Sequence, residues 1–174
     1  PSKVGAWRII RIKSNPKIHA RLQAKYFKLR SHKVFPGGRL ALRYSKSFLS
    51  KRFDHSIWID ASMQIKSTPF IEDMCAIVCD SPWAMFVNPD RDCIYEEALK
   101  SLEMQKYRSL PIIAQMDSYK GTVPSHGGLY ACGIIVRREP IVAELTRIHN
   151  HWWAENLKWS YQDQLSLPFV LRSA

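Results

Sequence analysis

Residues 56–60 read Ser-Ile-Trp-Ile-Asp. The run is short, rich in β-formers and closed by an acid, so it predicts a buried strand with Asp60 at its C-terminal end. The same grammar continues outward from it. Trp83–Val87 predicts a second strand, and the unbroken apolar run at 129–136 predicts a central one. Helical stretches separate them, at 69–79 and at 91–107, the latter after the Asn88-Pro89-Asp90 turn. Ile141, Val142, Leu145, Ile148 and Trp152 then fit one helix face, and Asp163 opens a last short apolar segment. Residues 119–128, with Gly121, Pro124, Gly127 and Gly128, read as a loop, and residues 36–52 as an irregular connection. Strands alternating with helices predict an α/β domain with a mostly parallel central sheet flanked by helices.

Upstream of this core, Asn15 and Pro16 mark a helix start, since Pro suits a first-turn position. Ile18, Leu22, Tyr26 and Leu29 follow at spacings of four, four and three, which makes one apolar stripe. Lys17, Arg21, Lys25 and Lys28 recur one residue out of step, so a basic stripe lies beside it. Of the 26 Lys and Arg, 15 fall in residues 1–52, ahead of the first acid, Asp54. The other 11 face all 15 acids, a net of −4, so the overall +11 belongs to one third of the chain. Solvated faces normally mix both signs, and a one-signed segment suggests an anion site or surface. At 174 residues the chain is one domain, with 46% apolar residues and no repeat, which excludes disorder and coiled coil. No run reaches the roughly 18–20 apolar residues of a membrane span.

Several residues have the chemistry for a site. Ligands of open α/β sheets bind beyond the carboxyl ends of strands, where Asp60 stands. A carboxylate there can hold a divalent metal that bridges phosphate oxygens, or it can simply cap a turn. The basic stripe suits phosphate, with Arg as a fork and Lys as a point charge; a solvated face is the alternative. Arg91, Asp92, Glu96 and Glu97 cluster at a helix start, where acids also complement the dipole. His126-Gly127-Gly128 offers backbone that a ligand can approach closely. Trp152, Trp153, Trp159 and Tyr161 precede Asp163-Gln164, a combination that sugar binding and an ordinary core both use. His149 and His151 are two apart and diverge on a helix, and Cys75, Cys79, Cys93 and Cys132 have no zinc spacing and read as free thiols.

Taken in order, five blocks carry a resemblance. They are Ala24-Lys25-Tyr26-Phe27-Lys28-Leu29, residues 56–62, residues 88–98, Gly128-Leu129 with the following strand, and Asp163-Gln164-Leu165-Ser166. From about residue 16 to the end, the chain resembles the glycosyltransferase-like family catalogued as domain of unknown function six hundred and sixteen, with plant and bacterial members. That resemblance implies a Rossmann-like GT-A fold for nucleotide-diphospho-sugar transfer, here a single domain over residues 1–174 that lacks its N-terminal strand. It implies a nucleotide-diphosphate sugar as donor and a glycan as acceptor. Asp60 matches the first acid of a DxD-type motif that holds Mn2+ or Mg2+ and the donor diphosphate. Ser62 stands where the second acid would be, so a metal would need other ligands. Arg21, Lys25, Lys28, Gly127 and Gly128 are then expected at the donor, and His126, Trp159 and Gln164 at the acceptor. Asp163 is the expected catalytic base. The family's members imply a cytoplasmic setting for a bacterial protein and a Golgi lumenal one for a membrane-anchored plant protein. From composition alone, a non-catalytic module binding nucleic acid or an anionic surface through residues 1–52 stands as the alternative.

Overall fold

The computed structural model describes residues 3–4, 7–8, 13–33 and 54–174. The connection expected at 36–52 lies outside the described residues. The strands are β1 (Lys3–Val4), β2 (Trp7–Arg8), β3 (His55–Ile59), β4 (Trp83–Val87) and β5 (Tyr130–Arg138). The helices are α1 (Ala20–Leu29), α2 (Phe70–Ala76), α3 (Ile94–Glu103), α4 (Ile112–Tyr119), α5 (Ala143–Lys158) and α6 (Asp163–Arg172). β1 and β2 pair in a short antiparallel ladder of their own.

The longest strand organises the rest. β5 lies between β3 and β4 and runs antiparallel to both, with Ile57 opposite Val136 and Ala84 opposite Val136 on its two sides. The expected mostly parallel sheet is therefore corrected to an antiparallel one among the described residues. β3 and β4 do point the same way, and α2 connects them, as in a parallel crossover. The late strand β5 inserts between them and reverses the pairing, which alternation of strands and helices along a sequence does not disclose.

Alternation across the sheet builds three layers. Ile57, Ala84, Ile134 and Val136 face α2, packing with Met74 and Val78. Trp58, Trp83, Met85 and Ile135 face the other way, onto Leu29 of α1, Trp152 of α5, and Leu167 and Val170 of α6. A second core joins α3, α4 and α6 through Ile94, Ile112, Tyr119 and Leu165. Between Met85 and Phe86 the register of β4 on β5 jumps, from Ile135 to Ala131. Residues 132–134 bulge there, bending the strand beside the end of β3. The Asp60 N–H donates to Gly133 O at 2.8 Å across this bulge. The C-terminal ends of β3 and β4 and the start of β5 thus share one edge of the sheet.

Several helix boundaries differ from the sequence reading, two of them for visible local reasons. α1 begins at Ala20 rather than near Pro16, because the His19 ring accepts the Arg21 N–H and Asn15 Oδ1 accepts the Lys17 N–H. Residues 15–18 close a turn instead. α3 ends at Glu103, where Met104 is extended, and a separate 3-10 turn follows at Gln105–Tyr107.

Candidate functional site

At the end of β3, α1 and α6 bring four charged side chains into one chain of contacts. The Lys25 ammonium lies 2.7 Å from Asp163 Oδ1, and the Lys28 ammonium 2.7 Å from Asp163 Oδ2. Lys28 also donates to Asp60 Oδ1 at 3.3 Å, and the Trp58 indole N–H donates to the same oxygen at 2.6 Å. Each placement follows from local geometry. Lys25 and Lys28 are three apart, hence on one helical face. Trp58 and Asp60 are two apart on extended chain, hence on one side. Asp163 opens α6, where the helix dipole favours an acid, and its carbonyl accepts the Trp152 indole N–H at 2.9 Å.

The cluster is graded from inside to outside. The side chains of Lys28 and Asp163 are 1% and 3% exposed, those of Lys25 and Asp60 18% and 37%. Burial by itself raises the pKa of the Asp163 carboxyl, but Lys28 and Lys25 outweigh burial and bring it down to about 2. Burial likewise disfavours the Lys28 ammonium, and Asp163 and Asp60 overcome it, so Lys28 stays charged well above neutral pH. Cys132, placed here by the bulge, is buried beside Asp163, and both factors push its thiol pKa up. It is a neutral thiol at ordinary pH.

These positions bear on the base role expected of Asp163. A carboxylate this buried, this acidic and faced by two ammoniums is a weak and shielded proton acceptor. It holds the two lysines. Lys28, expected at the donor, is sealed from solvent and lies between two carboxylates.

A further layer fixes α1 from below. The buried Arg137 donates from Nη2 to the Lys28 carbonyl at 2.7 Å, and its Nε lies 3.4 Å from His149 Nε2. Burial lowers the Arg137 pKa only to about 10, so it remains charged at neutral pH. The His149 ring is stacked 6.4 Å from His32. Burial, then nearby cations, lower both, His32 to about 4 and His149 well below its usual value. Both rings are neutral in the folded protein, whereas the unfolded chain binds protons below about pH 6.5. Stability contributed by the two histidines is therefore present above about pH 6.5 and lost as pH falls toward 4. Asp163 adds a second loss below about pH 4. Urea melts across this range should show both limbs, and His149→Gln should flatten the upper one; an unchanged upper limb would remove His149 from this account.

The remaining expected residues fall elsewhere. Arg21 is exposed, its guanidinium 6.0 Å from the Tyr161 ring centre. Gly127 and Gly128, expected at the donor, use their N–H groups within the fold: Gly127 donates to Pro124 O at 3.1 Å and Gly128 to Asp92 O at 2.8 Å. Gly127 is needed for packing, since a Cβ there would meet Pro124 O at 2.8 Å. His126 is held at φ +56° with its Nδ1 2.7 Å from Asp92 Oδ1 and its Nε2 3.9 Å from Glu96 Oε1. This exposed cluster lies at the start of β5. The Gln164 amide donates to Tyr130 O at 3.0 Å and so braces α6 on β5. Trp159, expected at the acceptor, is half-buried against the α3–α4 core.

Asp60 fits a metal poorly. Mg2+ and Ca2+ take six or more oxygens in all. Asp60 Oδ1 already receives an ammonium and an indole N–H, and Ser62 is an exposed hydroxyl. Among the described residues no group of three or more His, Cys, Asp or Glu side chains is placed to hold a metal ion. Nor is any helix of the described residues long and apolar enough to cross a membrane.

The sequence was compared with known proteins. Residues 1–173 match the family model described as TOD1/MUCI70, glycosyltransferase-like domain. Comparison with curated proteins and with solved structures found no match.

Proposed function

The chain belongs to the TOD1/MUCI70 glycosyltransferase-like family, and on that premise we propose that it transfers a sugar from a nucleotide-diphosphate donor to a glycan acceptor. The observation that carries this reading is the charge chain Lys25–Asp163–Lys28–Asp60 at the sheet edge. Glycosyl transfer passes through an oxocarbenium-like state with a departing diphosphate. The developing negative charge needs a fixed cation beside it. Lys25 is the partly exposed cation of the chain, and Asp163 sets its position. Arg21, one turn earlier on α1, adds positive charge on the open side.

Asp60 sits at the outer end of the chain, its charge balanced by Lys28. The acceptor side of the reading rests on the exposed His126–Asp92–Glu96 cluster, whose polar atoms suit sugar hydroxyls. The α1 cations argue against the alternative of a nucleic-acid module. Lys25 and Lys28 turn inward onto carboxylates rather than outward as a phosphate-tracking stripe.

The test is a panel of nucleotide-diphosphate sugars, read by thermal shift and by nucleotide diphosphate release with oligosaccharide acceptors. A donor at 100-fold its Kd should add about 2.7 kcal/mol of stability. Stabilisation by at least one donor is expected. Binding of unrelated oligonucleotides with a steep salt dependence, and of no donor, would replace this reading with the binding module.

A further inference from the structure

We infer that sugar transfer by this protein requires no divalent cation, because Lys28 fills, between Asp60 and Asp163, the place of the metal charge. The inference rests on the transferase reading and deepens it. Two carboxylates aimed at one point are what a hard cation binds. Here that point holds the Lys28 ammonium, 3.3 Å from Asp60 Oδ1 and 2.7 Å from Asp163 Oδ2.

The ammonium has nowhere else to go. Lys28 is 1% exposed, and its own carbonyl is clamped by the buried Arg137. A metal ion at Asp60 Oδ1 would meet two positive ends already bound there, the Lys28 N–H and the Trp58 indole N–H. On the other side of the carboxylate, Met63 lies over Gly133, and Asp60 Oδ2 borders the same spot.

A metal at such a carboxylate normally keeps two anions from repelling each other, the aspartate and the diphosphate. With Lys28 balancing Asp60, a diphosphate can approach without that bridge. During transfer, the bond from the anomeric carbon to the diphosphate oxygen breaks and its electron pair stays on that oxygen. The acceptor oxygen forms the new bond to carbon and gives up its proton to solvent. Charge on the leaving oxygen is met by Lys25, which Asp163 holds in place.

The test uses the full-length protein with UDP and GDP as probes, by calorimetry in EDTA and in Mn2+. The expected result is at least one nucleotide whose Kd agrees within about twofold between the two conditions. Mn2+ alone should neither bind nor raise Tm. Lys28→Ala vacates the point between the two carboxylates, and Mn2+ should then raise the Tm of that variant by several degrees. The wild-type comparison needs no variant and decides the matter even if K28A fails to fold. Affinity falling tenfold or more in EDTA, or Mn2+ binding to wild type that Asp60→Ala abolishes, would overturn the inference while leaving the transferase reading intact. If neither nucleotide binds in either condition, both readings fail together.

Discussion

Replacing Asp163 with alanine is expected to destabilise the protein by about 3–5 kcal/mol, the cost of leaving a buried charge without its partner. The Lys28 ammonium loses its 2.7 Å contact and keeps only Asp60 at 3.3 Å, while remaining shut away from water. Lys25 loses its carboxylate as well. For a domain of this size the loss corresponds to roughly 10 °C or more in Tm. Lys28→Met should be similarly costly, because it strands the buried Asp163 beside Lys25 alone. The double variant K28M/D163A should be far less destabilised than the sum of the singles, since it removes both members of the buried pair. Urea unfolding of the four proteins checks this. Additive losses, or a D163A protein as stable as wild type with activity gone, would return Asp163 to the role of catalytic base.

Strands β3, β4 and β5 were legible because each is a compact β-rich run ended by a turn, whereas β1 and β2 are two-residue pieces without such a run. Trp83–Val87 has the bounds expected of it. The order of strands was not legible, because a sequence gives alternation but not which strand inserts between which. Alternation of strands and helices predicts a parallel sheet, and β3, α2 and β4 do form a crossover; only β5, arriving after α3 and α4, shows that the two strands are not neighbours. Helix α4 carries no clear signal in the sequence. Its buried residues Ile112, Gln115, Met116 and Tyr119 have helical spacing, but two of the four carry polar groups, so the apolar stripe is broken.

The site was legible in part for a similar reason. Lys25 and Lys28 stood out by charge, Asp60 by its place after a strand, and Asp163 by its place before a helix. Their joining was not readable, since α1 and α6 are far apart in sequence and meet only in the fold, on the face of the sheet opposite α2. A basic stripe on a helix normally faces water. Here Lys25 and Lys28 face a buried acid, while Lys17 and Arg21 stay exposed. The Trp58 indole on Asp60 had a usable signal, the two-residue spacing on a strand. Arg137 had none, because nothing in a Val-Arg-Arg-Glu sequence tells which arginine turns inward.

Lys25→Ala should separate catalysis from folding most sharply. Lys25 lies on the open side of the cluster, 2.7 Å from Asp163 Oδ1, and Lys28 still balances that carboxylate when Lys25 is gone. The stability cost is accordingly small, on the order of 1 kcal/mol for a partly exposed pair. The catalytic cost is large, because removing one preorganised donor at a developing oxyanion lowers kcat by about 10²–10³-fold. KM for the donor should rise less than kcat falls, since the leaving oxygen gains most of its charge only as the bond breaks. Arg21→Ala serves as the comparison: its guanidinium lies 6.0 Å from the centre of the Tyr161 ring, outside the charge chain, so it should weaken donor binding with little change in kcat. Steady-state nucleotide diphosphate release by the two variants and wild type measures the difference. Equal kcat for K25A and wild type would remove Lys25 from the leaving-group site and leave the charge chain a purely structural brace between α1, α6 and the end of β3.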